Sequence, residues 1–296
     1  MTNIVDVSIV TANFNNAKFL QEFFQSIISS TNYPKEIIFI DDCSTDNSLM
    51  IVSENNVPNI KVIPLSKNVG FANALNIGVE HATCKYILRV DPDDFIDINR
   101  IELQLNYLEN NPDVDIVGSN CYYYHDGLKR IIGKTNLKNT HLEILELIKS
   151  GNHGIGNGCI MCKTSILKQH KFNQSNFPAE EYDIFSRIIL SGARFYNMSD
   201  CLLYYRIHKN AISNKTPFST INKIYELNKL YFNNDNCILN VYRKYYFIRY
   251  YRLYLFHFGT IKGYLFLFLS VLSNPKQLFK RLFNKNIFNK LSIYFK

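Results

Sequence analysis

Short apolar runs rich in β-branched residues alternate with stretches of helical periodicity as far as Val117. The runs that we predict as strands are residues 5–11, 36–40, 60–63, 86–90 and 115–117. The helices that we predict between them begin at Asn15 or Asn16, at Ser44, Thr45 or Asp46, at Gly70, and at Asp97 or Asn99. Strands that alternate with helices are usually parallel and covered on both faces. The order therefore predicts an α/β fold with a mostly parallel sheet and helices on both faces.

Polar clusters follow three of the predicted strands directly. Residues 11–15 follow the first strand, residues 41–46 the second and residues 91–94 the fourth. The carboxyl ends of parallel strands meet at one edge of a sheet, where open α/β sheets bind ligands. Each cluster alone could be a helix cap or a turn. However, the three carboxylates of the Asp-Pro-Asp-Asp segment repel one another unless a cation lies among them, and oxygen ligands suit Mg²⁺ or Mn²⁺. The pattern favours a metal site over a simple turn.

Two motifs further along the chain have both a functional and a structural interpretation. Residues 153–158 place glycine at alternate positions, which permits close backbone approach to a ligand but is also typical of a surface turn. Glu180, Glu181 and Asp183 open a predicted amphipathic helix, where carboxylates stabilise the positive end of the helix dipole. If this helix faces the metal site, one of the carboxylates could serve as a general base.

Phosphate-binding signals are weak. The sequence contains neither a Walker loop nor a G-x-G-x-x-G pattern, so nucleoside-triphosphate hydrolysis and dinucleotide redox chemistry lack support. The loop at Asn68 opens the helix that begins at Gly70, as an anion site does. Arg206 could contact a phosphate, while a lone histidine such as His208 is more often structural than a ligand.

The positive charge is concentrated at the C-terminal end. The chain has 33 Lys and Arg against 25 Asp and Glu, yet residues 217–296 hold 13 basic residues and only 2 acidic ones. Bases interleaved with Tyr, Phe and Leu are typical of an amphipathic helix on anionic lipid. The alternatives are a helical subdomain with solvated charges, and nucleic-acid binding, which no motif supports.

Other features bear on the compartment. No apolar run reaches the roughly 18 residues of a membrane-spanning helix. The N-terminal residues lack the basic start and apolar run of a secretory signal, and seven scattered cysteines do not suggest a disulfide framework. We therefore expect a cytoplasmic protein, peripheral on the inner face of the cell membrane, that contacts the anionic surface through residues 236–296.

The ordered set of motifs resembles the family 2 glycosyltransferases with the GT-A fold. The matching stretches are residues 7–15, 41–46, 68–78, 91–94, 179–183 and 205–208, which extend over about two-thirds of the chain. The resemblance implies a Rossmann-like nucleotide-sugar-binding and catalytic domain over residues 1–216, followed by a basic, aromatic-rich helical segment over residues 217–296. It also implies transfer of a sugar from a nucleotide-diphosphate donor.

The resemblance assigns nucleotide contacts to five residues. Ala12 and Phe14 would line the nucleoside pocket, and Asp42 would hydrogen-bond the base. Asn68 would also contact the nucleotide. Asp93 would lie beside the ribose and the donor diphosphate.

It further implies that Asp94, with Asp91 or His208, holds Mn²⁺ or Mg²⁺, and that Arg206 is a possible diphosphate contact. Glu181 occupies the position of the catalytic base, which in this family is usually Asp in a Glu-Asp pair. Glu180 and Asp183 are therefore rival candidates for the base.

These assignments predict an inverting enzyme that moves a single sugar, from a UDP-sugar, to a saccharide or lipid-linked saccharide acceptor in cell-surface polysaccharide synthesis. One carboxylate in line with the anomeric carbon gives direct displacement, and the Gln-x-x-Arg-Trp signature of processive synthases is absent from the sequence. Two alternatives stay open at this point. One is a nucleotidyltransferase that uses the Asp-rich metal site, and the other is a non-catalytic, membrane-associated nucleotide-sugar-binding protein. No nucleic-acid partner is expected.

Overall fold

The computed structural model describes residues 3–211, 217–235 and 237–274. The strands in these ranges are β1 (Asn3–Asn13), β2 (Asn32–Asp41), β3 (Ile60–Pro64), β4 (Tyr86–Arg89), β5 (Phe95–Ile96), β6 (Ile116–His125), β7 (Arg130–Lys134), β8 (Met161–Lys163) and β9 (Phe195–Ile207). The helices are α1 (Ala17–Ile28), α2 (Ser48–Glu54), α3 (Phe71–His81), α4 (Arg100–Asn110), α5 (His141–Lys149), α6 (Thr164–Gln169), α7 (Glu180–Leu190), α8 (Phe218–Phe232), α9 (Ile238–Phe256) and α10 (Ile261–Ser273).

The described strands form one sheet in the order β3-β2-β1-β4-β8-β6-β9-β5, and β7 pairs with β6. The strands β3, β2, β1 and β4 run parallel, as the alternation of strands and helices predicted. Beyond β4 the sheet is mixed, because β8 runs antiparallel to both β4 and β6, while β6 and β9 are parallel. The predicted α/β class is confirmed, and the antiparallel pairings lie in the half where the alternation stops.

Helices cover both faces of the sheet, and neighbouring residues of β1 point to opposite faces. Val10 packs with Leu75 of α3 on one side, whereas Ile9 packs with Leu20 and Phe24 of α1 on the other. All five side chains are fully buried. A strand that is buried on both faces needs a continuous apolar run, which explains why the first strand could be recognised from its sequence.

The loops after β1 and β2 cap the helices that follow them. The Asp46 carboxylate accepts the Ala17 N–H at 2.9 Å and the Ser48 N–H at 3.0 Å, so it lies at the start of both α1 and α2. The N-cap residue of α2 is Asn47, so the three predicted candidates all precede it, although Asp46 accepts the first N–H of the helix. For α1 the predicted N-cap position Asn16 is confirmed, but its side chain makes no cap bond, and Asn15 accepts the Thr45 N–H instead.

The C-terminal helices begin on the main core. Ile221 and Leu227 of α8 and Val241 of α9 belong to the same buried apolar cluster as Ile188 of α7. The last described helix, α10, packs on α9, where the Ser270 hydroxyl donates to a backbone carbonyl at 3.2 Å. Among the helices in the described ranges, none combines the length and apolar character needed to cross a membrane. The basic stretch predicted at residues 276–296 lies outside the described residues.

The cysteines behave as the sequence predicted. All seven lie in the described ranges and all are free thiols. Cys159 and Cys162, spaced as C-x-x-C, are 5% and 0% exposed and belong to the apolar core.

Candidate active site

The turn after β4 carries three carboxylates at the carboxyl edge of the sheet. Asp94 is 2% exposed, and its Oδ1 atom accepts the Arg206 backbone N–H at 2.8 Å. The Oδ2 atom of Asp93 lies 3.0 Å from Nε2 of His208. Asp91 is paired with the guanidinium of Arg89, which is itself 1% exposed. The β4 turn and the end of β9 therefore meet here, as the order of the motifs suggested.

Burial has a strong electrostatic effect on this turn. Desolvation, followed by repulsion from Asp93, raises the pKa of Asp94 well above its ordinary value. Desolvation also raises the pKa of Asp91, although the Arg89 guanidinium opposes the shift. Both shifts mean that the effect of burial outweighs that of the positive charge near these two carboxylates.

The glycine motif lies against the same carboxylates. A Cβ atom on Gly158 would lie 3.2 Å from Oδ2 of Asp91 and 3.9 Å from Oδ2 of Asp94. Glycine at this position thus preserves the space beside both oxygens. The neighbouring Asn157 amide is 1% exposed and makes no hydrogen bond within 3.5 Å in the described part of the chain. The motif therefore lies at the site and is not a remote surface turn.

The first turn of helix α7 lies near Asp91 of the β4 turn. Glu181 is partly exposed, and burial, followed by the negative charge of Asp91, raises its pKa to about 7. Arg89 and Arg252 oppose that shift. Glu181 is therefore a carboxylate that changes its protonation state near neutral pH, as a general base does.

The two rival carboxylates of α7 lie in different surroundings. Glu180 is 4% exposed, its Oε2 atom has no hydrogen-bond partner in the described ranges, and burial raises its pKa to about 8. Asp183 is fully engaged, because Arg187 donates to its Oδ2 atom at 2.8 Å and the Tyr231 hydroxyl donates to Oδ1 at 2.5 Å. Asp183 therefore connects α7 to α8.

Four of the five residues predicted to bind the nucleotide lie at or just beyond the ends of β1, β2 and β3, and the fifth, Asp93, lies in the turn after β4. The Asp42 carboxylate accepts the N–H groups of Val69 and Gly70 at 2.7 and 3.0 Å, and the Asn68 amide donates to the Asp42 carbonyl at 3.1 Å. Asp42 thus fixes the loop that precedes α3. Gly70 has φ +87°, a conformation that favours glycine, and its Cα faces the side chain of Gln174.

Ala12 and Phe14 complete this edge. Ala12 is 6% exposed within β1, while Phe14 is 47% exposed just beyond the strand. An exposed aromatic ring beside a buried polar loop is available for contact with a planar group. The Asp41 carboxylate at the end of β2 accepts hydrogen bonds from the Asn13 side-chain amide and from the Ser44 N–H, both at 2.9 Å.

Arg206 is an internal residue in this structure. Its guanidinium is 1% exposed and donates to the Asp93 carbonyl at 2.7 Å, to Glu22 at 2.7 Å and to Asp126 at 3.1 Å. The rings of Phe19, Phe95 and Tyr124 surround it. The sequence prediction of a diphosphate contact requires correction, because every guanidinium nitrogen already has a protein partner. Arg206 holds the β4 turn in place.

Sequence reasoning missed two buried arginines below the site, Arg89 and Arg100. Arg100 is fully buried, and it donates to Gln104 at 3.0 Å and to the Arg89 carbonyl at 2.9 Å. Gln104 in turn donates to the Cys159 carbonyl at 2.8 Å. Arg100 and Gln104 link the end of β4 to the glycine motif. Nothing in the sequence revealed this link, since Arg100 lies at the start of a helix where arginine is ordinarily solvated.

The predicted metal ligands do not form one preassembled set. No group of three or more His, Cys, Asp or Glu side chains in the described ranges is arranged to hold a metal ion. His208 is bonded to Asp93, whereas Oδ2 of Asp91 and Oδ2 of Asp94 both face Gly158. These two carboxylates fit a hard divalent cation by their chemistry.

Known glycosyltransferases are similar to this chain in sequence. The family model "Glycosyl transferase family 2" matches residues 8–171. An uncharacterized glycosyltransferase of Haemophilus influenzae is 33% identical over 79% of this chain and 76% of its own length. The UDP-Gal:alpha-D-GlcNAc-diphosphoundecaprenol beta-1,3-galactosyltransferase of Escherichia coli is 29% identical over 64% of this chain and 70% of its own length.

Solved structures share the fold. TarS of S. aureus in complex with UDP matches 92% of this chain and 82% of its own, with a TM-score of 0.59 and 20% identity. The mannosyltransferase PcManGT of Pyrobaculum calidifontis, in complex with GDP-Man and Mn²⁺, matches 94% of this chain and 83% of its own, with a TM-score of 0.59 and 15% identity. The chain therefore belongs to glycosyl transferase family 2 and is a glycosyltransferase with the GT-A fold.

Proposed function

We propose that this glycosyltransferase moves a single sugar from a UDP-sugar to a saccharide or lipid-linked saccharide acceptor in cell-surface polysaccharide synthesis, with inversion at the anomeric carbon. The observation that carries the proposal is the position of Glu181, beside Asp91 and with a pKa of about 7. The donor class is supported by the E. coli relative, whose name specifies UDP-Gal and a diphosphoundecaprenol acceptor, and by the TarS complex with UDP.

In this mechanism Glu181 removes the proton from the acceptor hydroxyl as the oxygen attacks the anomeric carbon. A base of pKa near 7 is half ionised at neutral pH and still basic enough to accept that proton. Because a single carboxylate acts in line with the leaving group, the configuration inverts. Glu180 supports this carboxylate from the adjacent position, and Asp183, bound to Arg187 and Tyr231, fixes the helix.

On the donor side, Asp42 would hydrogen-bond the base beside the loop that its carboxylate and Asn68 hold, and Ala12 and Phe14 would form the apolar wall of the nucleoside pocket. Asp93 lies by the ribose and diphosphate. Asp91 and Asp94 would hold the divalent cation, Mn²⁺ or Mg²⁺, with His208 positioning Asp93 at 3.0 Å. When bound, such a cation neutralises the charge that develops on the leaving diphosphate.

Calorimetry with UDP tests the donor site. We expect UDP to bind in the presence of Mn²⁺, to lose affinity when EDTA is added, and to bind far more weakly to Asp94→Asn. The matched control is Asp113→Asn, since Asp113 is an exposed carboxylate whose ion pair with Arg194 is at the surface. Equal UDP affinity with and without metal would contradict the role given to Asp94.

The chain has two functional parts in this proposal, and one of them lies at the membrane. We infer a catalytic unit over residues 1–216 and a C-terminal unit over residues 217–296 that meets an anionic membrane surface through residues 236–296. We also infer a cytoplasmic protein at the inner face of the membrane. Membership of a glycosyltransferase family argues against the nucleotidyltransferase and the non-catalytic alternatives.

A further inference from the structure

Helix α10 has its large apolar side chains on the outside. Its exposed residues, which we call the α10 apolar face, are between 55% and 92% exposed and comprise Ile261, Tyr264, Leu265, Phe268 and Leu272. At 3.6 residues per turn they fall within an arc of about 100°.

The opposite side of α10 packs on α9 through small residues and through Phe266, which stacks on Tyr250. Gly263 and Ser270 are buried there, and a Cβ atom on Gly263 would lie 2.2 Å from the His257 carbonyl oxygen. The Ser270 hydroxyl donates to the Phe247 carbonyl. A helix on a water-soluble surface has polar residues outward, whereas the outer side of α10 is apolar. The sequence of α10 therefore provides for a non-aqueous medium on its outer side.

We propose that the α10 apolar face inserts into the headgroup region of an anionic bilayer, with α10 lying parallel to the membrane plane. The helix has 13 residues and a length of about 20 Å, which suits an interfacial helix and not a spanning one. The charge identifies the lipid, because residues 236–296 contain 11 Lys and Arg and no Asp or Glu. Bases beside a shallow apolar face are attracted to acidic headgroups.

The same contact orients the catalytic edge. The His125 ring at the carboxyl end of β6 lies 2.9 Å from the Phe256 carbonyl near the end of α9. Near the other end of α9, the Lys244 ammonium donates to the Gly151 carbonyl, just before the glycine motif. Because α9 is fastened at both ends, α10 has a fixed relation to the active site. This rests on the proposed function and deepens it, because a lipid-linked acceptor in the bilayer would meet an active site held at a fixed position relative to the membrane.

The face has two other candidate occupants. A second copy of the chain is disfavoured by charge, because it would bring together two segments that each contain 11 Lys and Arg and no Asp or Glu. The other candidate is residues 275–296, which carry six of those bases, while α10 itself carries one, Lys262. Both arrangements are outcomes of the experiment below.

The chain contains no tryptophan, so Leu265→Trp introduces a single fluorescent reporter on the α10 apolar face. Leu142→Trp on α5, where the leucine is 71% exposed, is the matched control. With vesicles of phosphatidylglycerol and phosphatidylethanolamine in equal parts, we expect a blue shift for the Leu265→Trp protein only, and no shift with pure phosphatidylcholine. No shift for the Leu265→Trp protein while it sediments with the vesicles would overturn insertion. Emission that is already blue-shifted without lipid would overturn the proposal, because the face would then be covered within the protein. The cover would be residues 275–296 if the emission wavelength is independent of protein concentration, and a second copy of the chain if it depends on that concentration.

A second pair of variants measures binding itself. Leu265→Gln with Phe268→Gln removes apolar surface without changing charge, and we expect sedimentation with the acidic vesicles to fall tenfold or more. Leu142→Gln with Leu230→Gln removes similar exposed leucines and should bind as wild type does. UDP affinity should be the same in all of these proteins. If the wild-type protein inserts into the vesicles but does not bind UDP, the proposed function is refuted and the membrane face is not. If the protein with Leu265→Gln and Phe268→Gln sediments as wild type does, the membrane face is refuted and the proposed function is not.

Discussion

Replacement of Glu181 by Gln separates acceptor activation from donor binding. The variant keeps the shape of the side chain and removes its basicity, so kcat should fall by roughly a hundredfold or more, the scale of lost general-base catalysis. UDP affinity should stay within about threefold of wild type, since the role of Glu181 is to receive a proton from the acceptor and not to hold the donor.

The pH profile gives the magnitude that the structure predicts. A glutamate at its ordinary pKa of 4.5 would be ionised throughout the neutral range, and the rate would be flat. Burial and Asp91 raise the pKa of Glu181 to about 7, so the ionised fraction rises with pH through neutrality. The value of kcat/KM should therefore increase about tenfold between pH 6 and pH 8, and the Glu181→Gln profile should be flat.

The assay is initial-rate sugar transfer at fixed metal and saturating donor, with Glu180→Gln and Asp183→Asn as matched controls. Glu180→Gln should lower the rate less than Glu181→Gln and keep the rise with pH. Asp183→Asn should lower the melting temperature, because it weakens the bonds to Arg187 and Tyr231. If Glu180→Gln abolishes the pH dependence and Glu181→Gln leaves it intact, the base has been assigned to the wrong residue.

Three further substitutions test the surroundings of the site. Gly158→Ala places a methyl group 3.2 Å from Asp91, and titration calorimetry should show UDP affinity with Mn²⁺ falling roughly tenfold, the scale of an overpacked contact; unchanged affinity would refute this. Arg206→Lys keeps the charge but loses the three-way contact, so denaturant unfolding should show a loss of about 2–4 kcal/mol, and a loss below 1 kcal/mol would contradict a positioning role. Burial lowers the pKa of Lys244 to about 7, so its destabilising effect is complete below pH 7 and declines as the pH rises towards 10.5. Lys244→Met should therefore raise the melting temperature at pH 6.5 and progressively less towards pH 9.5, and a lower melting temperature at every pH would contradict that reasoning.

The elements with strong local signals could be predicted from sequence to within a few residues. Helix α3 was expected to begin at Gly70 and begins at Phe71, and α7 was expected to open at Glu180 and does so. The first strand was expected over residues 5–11 and extends over Asn3–Asn13. Each of these elements buries one or both faces, and the spacing of its apolar residues shows this in the sequence. The polar residues at their ends identify the edge of the sheet where the site lies.

Features that depend on distant residues could not be predicted in this way. The three residues of β8 carry too little pattern to show that they run antiparallel to β4. The cap of α1 comes from Asp46 in another loop, and a local search considers only neighbouring residues. The sequence around Arg206 is the same whether its guanidinium contacts a phosphate or Asp126, so only the fold shows which contact is made.

The distribution of charge beneath the site explains why its carboxylates are left for a ligand. Arg89, Arg100 and Arg206 are each 1% exposed or less, yet only Arg89 forms an ion pair with the β4 turn, through Asp91. Arg100 donates to carbonyls and to Gln104, and Arg206 forms its ion pairs with Glu22 and Asp126. Asp94 receives only a backbone N–H from Arg206, and its pKa stays raised. The arginines thus fix the backbone of the turn but leave Asp94 without an ion pair in the described ranges, and Oδ2 of Asp94 faces Gly158 beside Oδ2 of Asp91. We propose that a divalent cation, and through it a donor diphosphate, would bind at these two oxygens.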